Sequence, residues 1–318
     1  MKRVIVFGGG GFIGHHLIKR LKNGSNYVIG IDIKLPEFEK THADEFILGD
    51  LSEQYFVNSL NLNDIDEAYQ LAAEMGGAGY IFSELNDAHI MYKSSLINLN
   101  VLNACNINKV KKVFFSSTAC VYPFFNQTDV ANPICNEDSA YPASPDSEYG
   151  WEKLYAERLY LSFKKNFSLD IKIGRFHNVY GPMGTYDGGR EKVPAAICRK
   201  VANANHGDRI DVWGDGLQTR SFLYIDDCLD AIQLLMHSEH AGPFNIGSEE
   251  MISINDFTRM IIEISGKQLS INNIPGPLGV RGRRSDNTLI KLNLNWEPKY
   301  NLNQGMQILY NWILNISK

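Results

Sequence analysis

The chain has no CxxC pair, no internal repeat, no low-complexity tract and no apolar run long enough to cross a bilayer. Its five cysteines, Cys105, Cys120, Cys135, Cys198 and Cys228, are scattered over 318 residues. That odd number and wide spacing exclude a disulfide framework, argue against a metal site and suit a reducing cytoplasm. The apolar run at 4–7 is cut at once by glycines at 8–11, which is too short for an export signal or a membrane span. Neither sign of charge dominates: 31 Lys plus Arg against 36 Asp plus Glu give a net charge of −5. Such a chain lacks the basic stripe of a non-specific nucleic-acid binder, although a local basic pocket for a phosphate remains open. At 44% apolar residues, the chain is long enough for one large domain or two, with a core that needs no covalent staples.

What is present is alternation. Short apolar segments at 3–7, 27–31, 45–48, 67–71, 113–116 and 171–176 read as strands buried on both faces. Helical spacing occupies 12–21, 94–107 and 148–163. This order predicts an α/β fold with a Rossmann-type, doubly wound parallel sheet. After residue 176 the pattern becomes mixed. Segment 222–237 looks like a return to the first lobe, 271–287 reads as a Pro/Gly/Arg-rich loop, and 302–316 as an amphipathic helix. The expected division is a dinucleotide domain of 1–176 plus about 221–246. A smaller interleaved α/β substrate domain takes about 177–220 and 247–318.

Gly8, Gly11 and Gly14 form GxxGxxG at the first strand-to-helix turn. Glycines there let the backbone approach a pyrophosphate, and the helix N-terminus donates to it. Asp32 ends the next strand, placed to accept from a ribose 2′-hydroxyl; its charge would repel a 2′-phosphate, which favours NAD over NADP. Asp50, ending the third strand, either holds the adenine edge or is a helix N-cap before Ser52-Glu53. Tyr149 and Lys153 lie one helical turn apart on one face. A fixed ammonium beside a phenol, together with the positive nicotinamide of NAD⁺, favours the phenolate and so a base near neutral pH. Thr118, at the end of Ser116-Ser117-Thr118, is placed to hydrogen-bond the same hydroxyl.

These motifs, in this order, resemble the extended short-chain dehydrogenase/reductase family of nucleotide-sugar enzymes. The likeness continues through Ala72-Ala73 and the run Arg175-Phe176-His177-Asn178-Val179-Tyr180-Gly181-Pro182. It implies a transient oxidation in which Tyr149 takes a proton from a sugar C4 hydroxyl while hydride passes to tightly held NAD⁺. It also implies that Gly8, Gly11, Phe12, Ile13, Gly14, Asp32, Asp50, Leu51, Leu71, Ala72, Ala73, Tyr149 and Lys153 hold the cofactor. Longer blocks resemble the branch that epimerises GDP-activated manno-configured sugars at C3 and C5. They are Glu74-Met75-Gly76-Gly77, Ala119-Cys120-Val121-Tyr122-Pro123, Gly188-Gly189-Arg190-Glu191-Lys192, the stretch from Trp213 to Phe222 and the stretch from Pro275 to Arg283. Read from residue type alone, Cys120 is a small buried residue and Lys192 a solvated lysine. The resemblance makes them the base and the acid that invert carbons next to a C4 ketone.

The same resemblance implies a GDP-sugar substrate. Arg220 and Arg281 are the expected diphosphate ligands, because a guanidinium holds phosphate oxygens bidentately. Asn178 and Lys192 are expected at the diphosphate or sugar, Gly76, Gly77 and Glu74 around the sugar, and Trp213 and Gln218 at the base. His177 is expected to be structural, and Arg283 and Arg284 to be solvated neighbours of Arg281. No metal, nucleic acid or membrane partner is expected. Apolar faces on the helices at about 94–107 and 148–163 point to a homodimer. Two alternatives share the cofactor motifs: a GDP-sugar 4-dehydrogenase that releases a keto sugar, or another nucleotide-sugar epimerase or reductase of the same family, and a non-catalytic binder of NAD or nucleotide-sugar.

Overall fold

A computed structural model describes residues 1–317. Seven parallel strands form the main sheet, in the order Phe244–Ile246, Asp170–Phe176, Lys112–Thr118, Glu67–Gln70, Arg3–Phe7, Tyr27–Asp32, Glu45–Leu48. Alternate side chains of each strand face opposite cores. Val4 and Val6 pack with Leu17 and Ile18 of the helix Phe12–Asn23 and with Leu229 and Ile232 of the helix Ile225–His237. Ile5 and Phe7 pack on the other face with Val101 and Leu102 of the helix Asp87–Ile107 and with Ala156 and Tyr160 of the helix Glu148–Phe167. Continuous apolar strands therefore signal a sheet covered on both sides. The chain order reverses on either side of Arg3–Phe7, whose neighbours are Tyr27–Asp32 and Glu67–Gln70. A crevice opens at the carboxyl ends of the strands at such a switch point.

Both helices on the second face run longer than their periodicity suggests. The first begins at Asp87 rather than 94, and among its first seven residues only Ile90 is buried, so no apolar stripe marks them. The second runs on through Lys164 and Lys165, cations that suit a helix C-terminus but carry no apolar signal.

The remaining segments build small sheets beside the crevice. Residues 271–287 are not simply a loop. Ser270–Ile274 pairs in parallel with Arg209–Trp213, and Gly282–Arg283 pairs with Thr219–Arg220. Pro275, Gly276, Pro277 and Gly279 break the local pattern, so strands this short are legible only through partners some sixty residues away. The chain crosses between lobes here: Phe244–Ile246 joins the main sheet, and Met251–Ser253 then pairs with Thr219–Ser221 outside it.

One buried ion pair locks the long helix to the sheet. Arg175 donates through Nε and Nη2 to the two carboxylate oxygens of Glu157, at 2.9 and 2.8 Å, and through Nη1 to the Glu137 carbonyl at 2.8 Å. Both side chains are almost fully buried. Removing one partner leaves the other as an uncompensated charge. Glu157→Gln is therefore expected to cost about 3–5 kcal/mol of unfolding free energy, read from the shift of the urea midpoint at unchanged slope.

Candidate active site

The crevice is one continuous cavity of about 860 Å³, within the range of pockets that enclose most of a ligand. Every expected site residue lines it except Arg281. Arg281 sits at the surface and pairs with Asp215 through two bonds of 3.0 and 3.1 Å. Its neighbour Arg283, expected to be solvated, is instead buried and faces the cavity. Strand pairing explains the exchange. Arg283 falls within the Gly282–Arg283 strand beside Arg220, and that register turns it inward.

At the dinucleotide end, Gly8 has φ +85°, and a Cβ there would stand 2.7 Å from the Ala72 amide nitrogen. The turn thus has room for a backbone-hugging ligand and none for a side chain. Asp32 accepts from the Gly10 amide at 2.9 Å and the Lys34 amide at 3.2 Å, which aims its carboxylate across the turn. Burial raises its pKa above the ordinary aspartate value, as it does for an acceptor kept partly from water. Gly10 is a member that the GxxGxxG spacing passes over. Asp50 binds the Ser52 amide at 2.8 Å and Lys93 Nζ at 2.9 Å. Asp50 is not the N-cap of the following helix, Gln54–Ser59, whose N-cap is Glu53; it forms an Asx turn with Ser52 at a position that lines the cavity. The shape and donor set of this end fit a dinucleotide with a free ribose 2′-hydroxyl.

At the reacting end, Ser147 caps the helix Glu148–Phe167 and so fixes where Tyr149 emerges. A Cβ on Gly150 would lie 2.2 Å from the Cys120 carbonyl oxygen; glycine is what lets the Tyr149 turn and the Cys120 turn touch. Lys153 Nζ donates to the Ser116 carbonyl at 2.8 Å and lies 5.9 Å from the Tyr149 ring centroid. It does not bond the phenol, and burial dominates: Tyr149 is pushed well above the ordinary tyrosine range, with only the Thr118 hydroxyl pulling it back. Desolvation outweighs one cation held off by its own hydrogen bond.

Cys120 is buried, and its Sγ accepts from Arg283 Nη1 at 3.4 Å. Arg283 also donates to Gln127 at 2.6 Å and pairs with Asp146. Burial raises the thiol, Asp146 raises it further, and Arg283 opposes both. Lys192 caps the helix Val193–Asn203 with its backbone and makes no side-chain hydrogen bond or ion pair among the described residues. Burial lowers its pKa. Arg220 is a cation without an anion: it bonds only the carbonyls of Thr219 and Leu278, at 2.8 and 3.1 Å. Burial and Arg283 push it down to about 9, against the opposing pull of Asp146.

Lys200, eight residues beyond Lys192, also lines the cavity. Helical spacing from Lys192 is the signal that would have found it. Asn178 holds φ +46° and donates to the Ser221 carbonyl at 2.9 Å. Gln218 donates to the Trp213 carbonyl at 3.1 Å, leaving a buried amide oxygen without a partner. His177 is structural: fully buried, bonded to Asn245 at 2.8 Å and pushed down to about 3 by burial.

Residues 4–247 match the NAD dependent epimerase/dehydratase family. The chain belongs to that family. It is 46% identical, over 98% of its own length and 82% of the relative's, to a GDP-mannose 3,5-epimerase of Arabidopsis thaliana. A UDP-glucuronic acid decarboxylase of the same plant is 28% identical over 96% of this chain and 88% of its own. Among solved structures, UDP-glucose 4-epimerase from Thermotoga maritima superposes with a TM-score of 0.87 at 25% identity, covering 99% of this chain and all of its own. UDP-glucuronic acid 4-epimerase from Bacillus cereus, solved with UDP-glucuronic acid and NAD, gives 0.82 at 27% identity over 99% of each chain. As a family member this is an NAD-dependent enzyme of nucleotide-sugar chemistry.

Cys120 is the one cysteine that lines the cavity, so its titration can be read by alkylation. Its iodoacetamide reactivity is expected to rise with an apparent pKa above the ordinary value of about 8.5. Asp146→Asn removes a nearby anion and should lower that pKa, whereas Arg283→Gln removes the opposing cation and should raise it. Peptide mass spectrometry of the alkylated protein across pH checks both signs.

Proposed function

We propose that the enzyme epimerises a GDP-activated, manno-configured sugar at C3, C5 or both through a transient 4-ketone. The observation that carries this reading is the convergence of Cys120 and Lys192 on the cavity that also holds Tyr149. A redox site needs only the tyrosine and its lysine. A thiol and an unpaired ammonium beside it are an added acid–base set, and the 46% identity to a GDP-mannose 3,5-epimerase supports the assignment.

NAD, when bound, accepts the C4 hydride and returns it at the end of the cycle. Tyr149 takes the C4 hydroxyl proton, with Thr118 holding the same oxygen. Burial raises its pKa, and positive charge brought into the cleft beside it would oppose that rise. The ketone at C4 acidifies the protons on C3 and C5. Cys120 removes one of these as the thiolate stabilised by Arg283, and Lys192, with its lowered pKa, delivers a proton to the opposite face. Arg220 supplies the missing countercharge for a diphosphate, with Lys200 on the same cavity wall. Asn178 and Gln218 offer amide contacts toward the sugar and base.

Incubation with GDP-mannose, and separately with GDP-manno-heptose, in D₂O is expected to yield inverted product carrying deuterium at the inverted carbons, read by NMR. Cys120→Ala should block deuterium entry, and Tyr149→Phe should abolish the oxidation on which entry depends. Steady accumulation of NADH or 4-keto sugar would instead identify a dehydrogenase.

The assembly we propose is a homodimer through the helices Asp87–Ile107 and Glu148–Phe167. These two helices expose Tyr92, Leu99, Trp151 and Tyr155, a set of apolar surfaces that the fold leaves uncovered. Light scattering should give the mass of two chains, and Trp151→Lys with Tyr155→Lys should reduce it to one.

A further inference from the structure

Two loops close the sugar end of the cleft. One, at 74–82, follows the strand Glu67–Gln70 of the main sheet. The other, at 188–192, leads into the helix Val193–Asn203. A cluster of side chains joins them. Glu74 Oε1 accepts from the Tyr80 hydroxyl at 2.7 Å and lies 3.0 Å from Arg190 Nη1. The Arg190 guanidinium carbon sits 4.2 Å from the Tyr80 ring centroid, within the range of a cation–π contact. His89 Nε2 stands 3.6 Å from the second oxygen of Glu74. The backbone repeats the join: the Gly77 amide donates to the Arg190 carbonyl at 2.9 Å. A Cβ on Gly77 would stand 2.1 Å from the Glu191 carbonyl oxygen.

We propose that Glu74, Tyr80 and Arg190 are positioning residues, a clasp that holds Lys192 at the angle from which it protonates the sugar. The inference rests on the reading of Lys192 as the acid. Glu191 is already tied down by the Gly189 amide at 2.6 Å and Arg199 at 3.0 Å. Residues 189, 190 and 191 are therefore all anchored, and Lys192, next in line, projects into the cavity with an ammonium that no described residue holds. Its aim comes from its backbone, and its backbone is set by the clasp. Glu74, expected beside the sugar, lines the cavity, and its Oε1 serves two donors of its own chain. Fold stability does not explain the cluster. The Arg190 side chain is about half exposed at 51%, and surface ion pairs contribute little. Displacing a reacting group by about 1 Å, in contrast, can cost on the order of a hundredfold in rate.

The test separates inversion from exchange. In D₂O, Cys120 can remove a proton, trade it with solvent and return a deuteron to the same face without Lys192. The clasp variants Arg190→Ala and Tyr80→Phe should therefore form inverted product at least about tenfold more slowly, while deuterium still enters sugar of unchanged configuration at close to the wild-type rate. Tyr80→Phe removes a single hydroxyl and keeps the ring under Arg190, so it reports even if Arg190→Ala misfolds. Inversion and exchange falling by the same factor would overturn the clasp and indicate a general structural role. Unchanged inversion in both variants would also overturn it. A wild-type enzyme that exchanges no deuterium would overturn the reading of the site itself, a result distinguishable from failure of the clasp alone.

Discussion

Arg283 and Asp146 meet in a place that is almost dry, and most of the reacting end depends on that meeting. Asp146 belongs to the segment just before the tyrosine helix, and Arg283 to a short strand 137 residues later. A buried guanidinium without an anion is costly, and so is a buried carboxylate without a cation. Together they are tolerated, and the shared guanidinium has donors left for Gln127 and the Cys120 sulfur. One ion pair thus ties the two lobes, closes one wall of the cleft and sets the field at the thiol. Beyond it, Arg220, Lys192 and Lys153 line the cleft, and none of the three is held in an ion pair among the described residues. Those free cations suit the pocket to a diphosphate, although the chain as a whole is acidic.

Much of this was legible in the sequence. The glycine turn, Asp32 and the Tyr149–Lys153 pair are local patterns whose spacing fixes their geometry through a strand, a turn or a single helical turn. The parallel sheet was legible for the same reason, because strands buried on both faces have no polar alternation to blur them. What escaped depends on partners distant in the chain. Arg281 and Arg283 are two residues apart and chemically alike, and only the pairing of Gly282–Arg283 with Thr219–Arg220 decides which one faces inward. The hydrogen bond of Lys153 escaped as well, because helical spacing places the lysine near Tyr149 but says nothing of the Ser116 carbonyl to which its ammonium donates.

The site also shows how a small residue can couple two chemical functions. Gly150 lets the turn bearing the redox tyrosine rest against the carbonyl of Cys120. The residue proposed to take the C4 proton and the residue proposed to act on the neighbouring carbon are thereby held by one close backbone contact. Moving either alone would open a gap or force a clash. The order of the chain brings them together: Thr118 ends one strand, Cys120 follows in the turn just after it, and Tyr149 lies in the first turn of the helix packed upon it.

The chain does not finish one lobe before beginning the other. The strand Phe244–Ile246 enters the main sheet after the small-sheet strands Arg209–Trp213 and Thr219–Ser221, and before Met251–Ser253. No single cut separates the nucleotide-sugar lobe from the dinucleotide lobe. A recombination event or a cloning junction therefore cannot exchange substrate preference in this architecture as a cassette. New preference has to arise by substitution within the cleft wall, one side chain at a time, against a cofactor frame that stays in place.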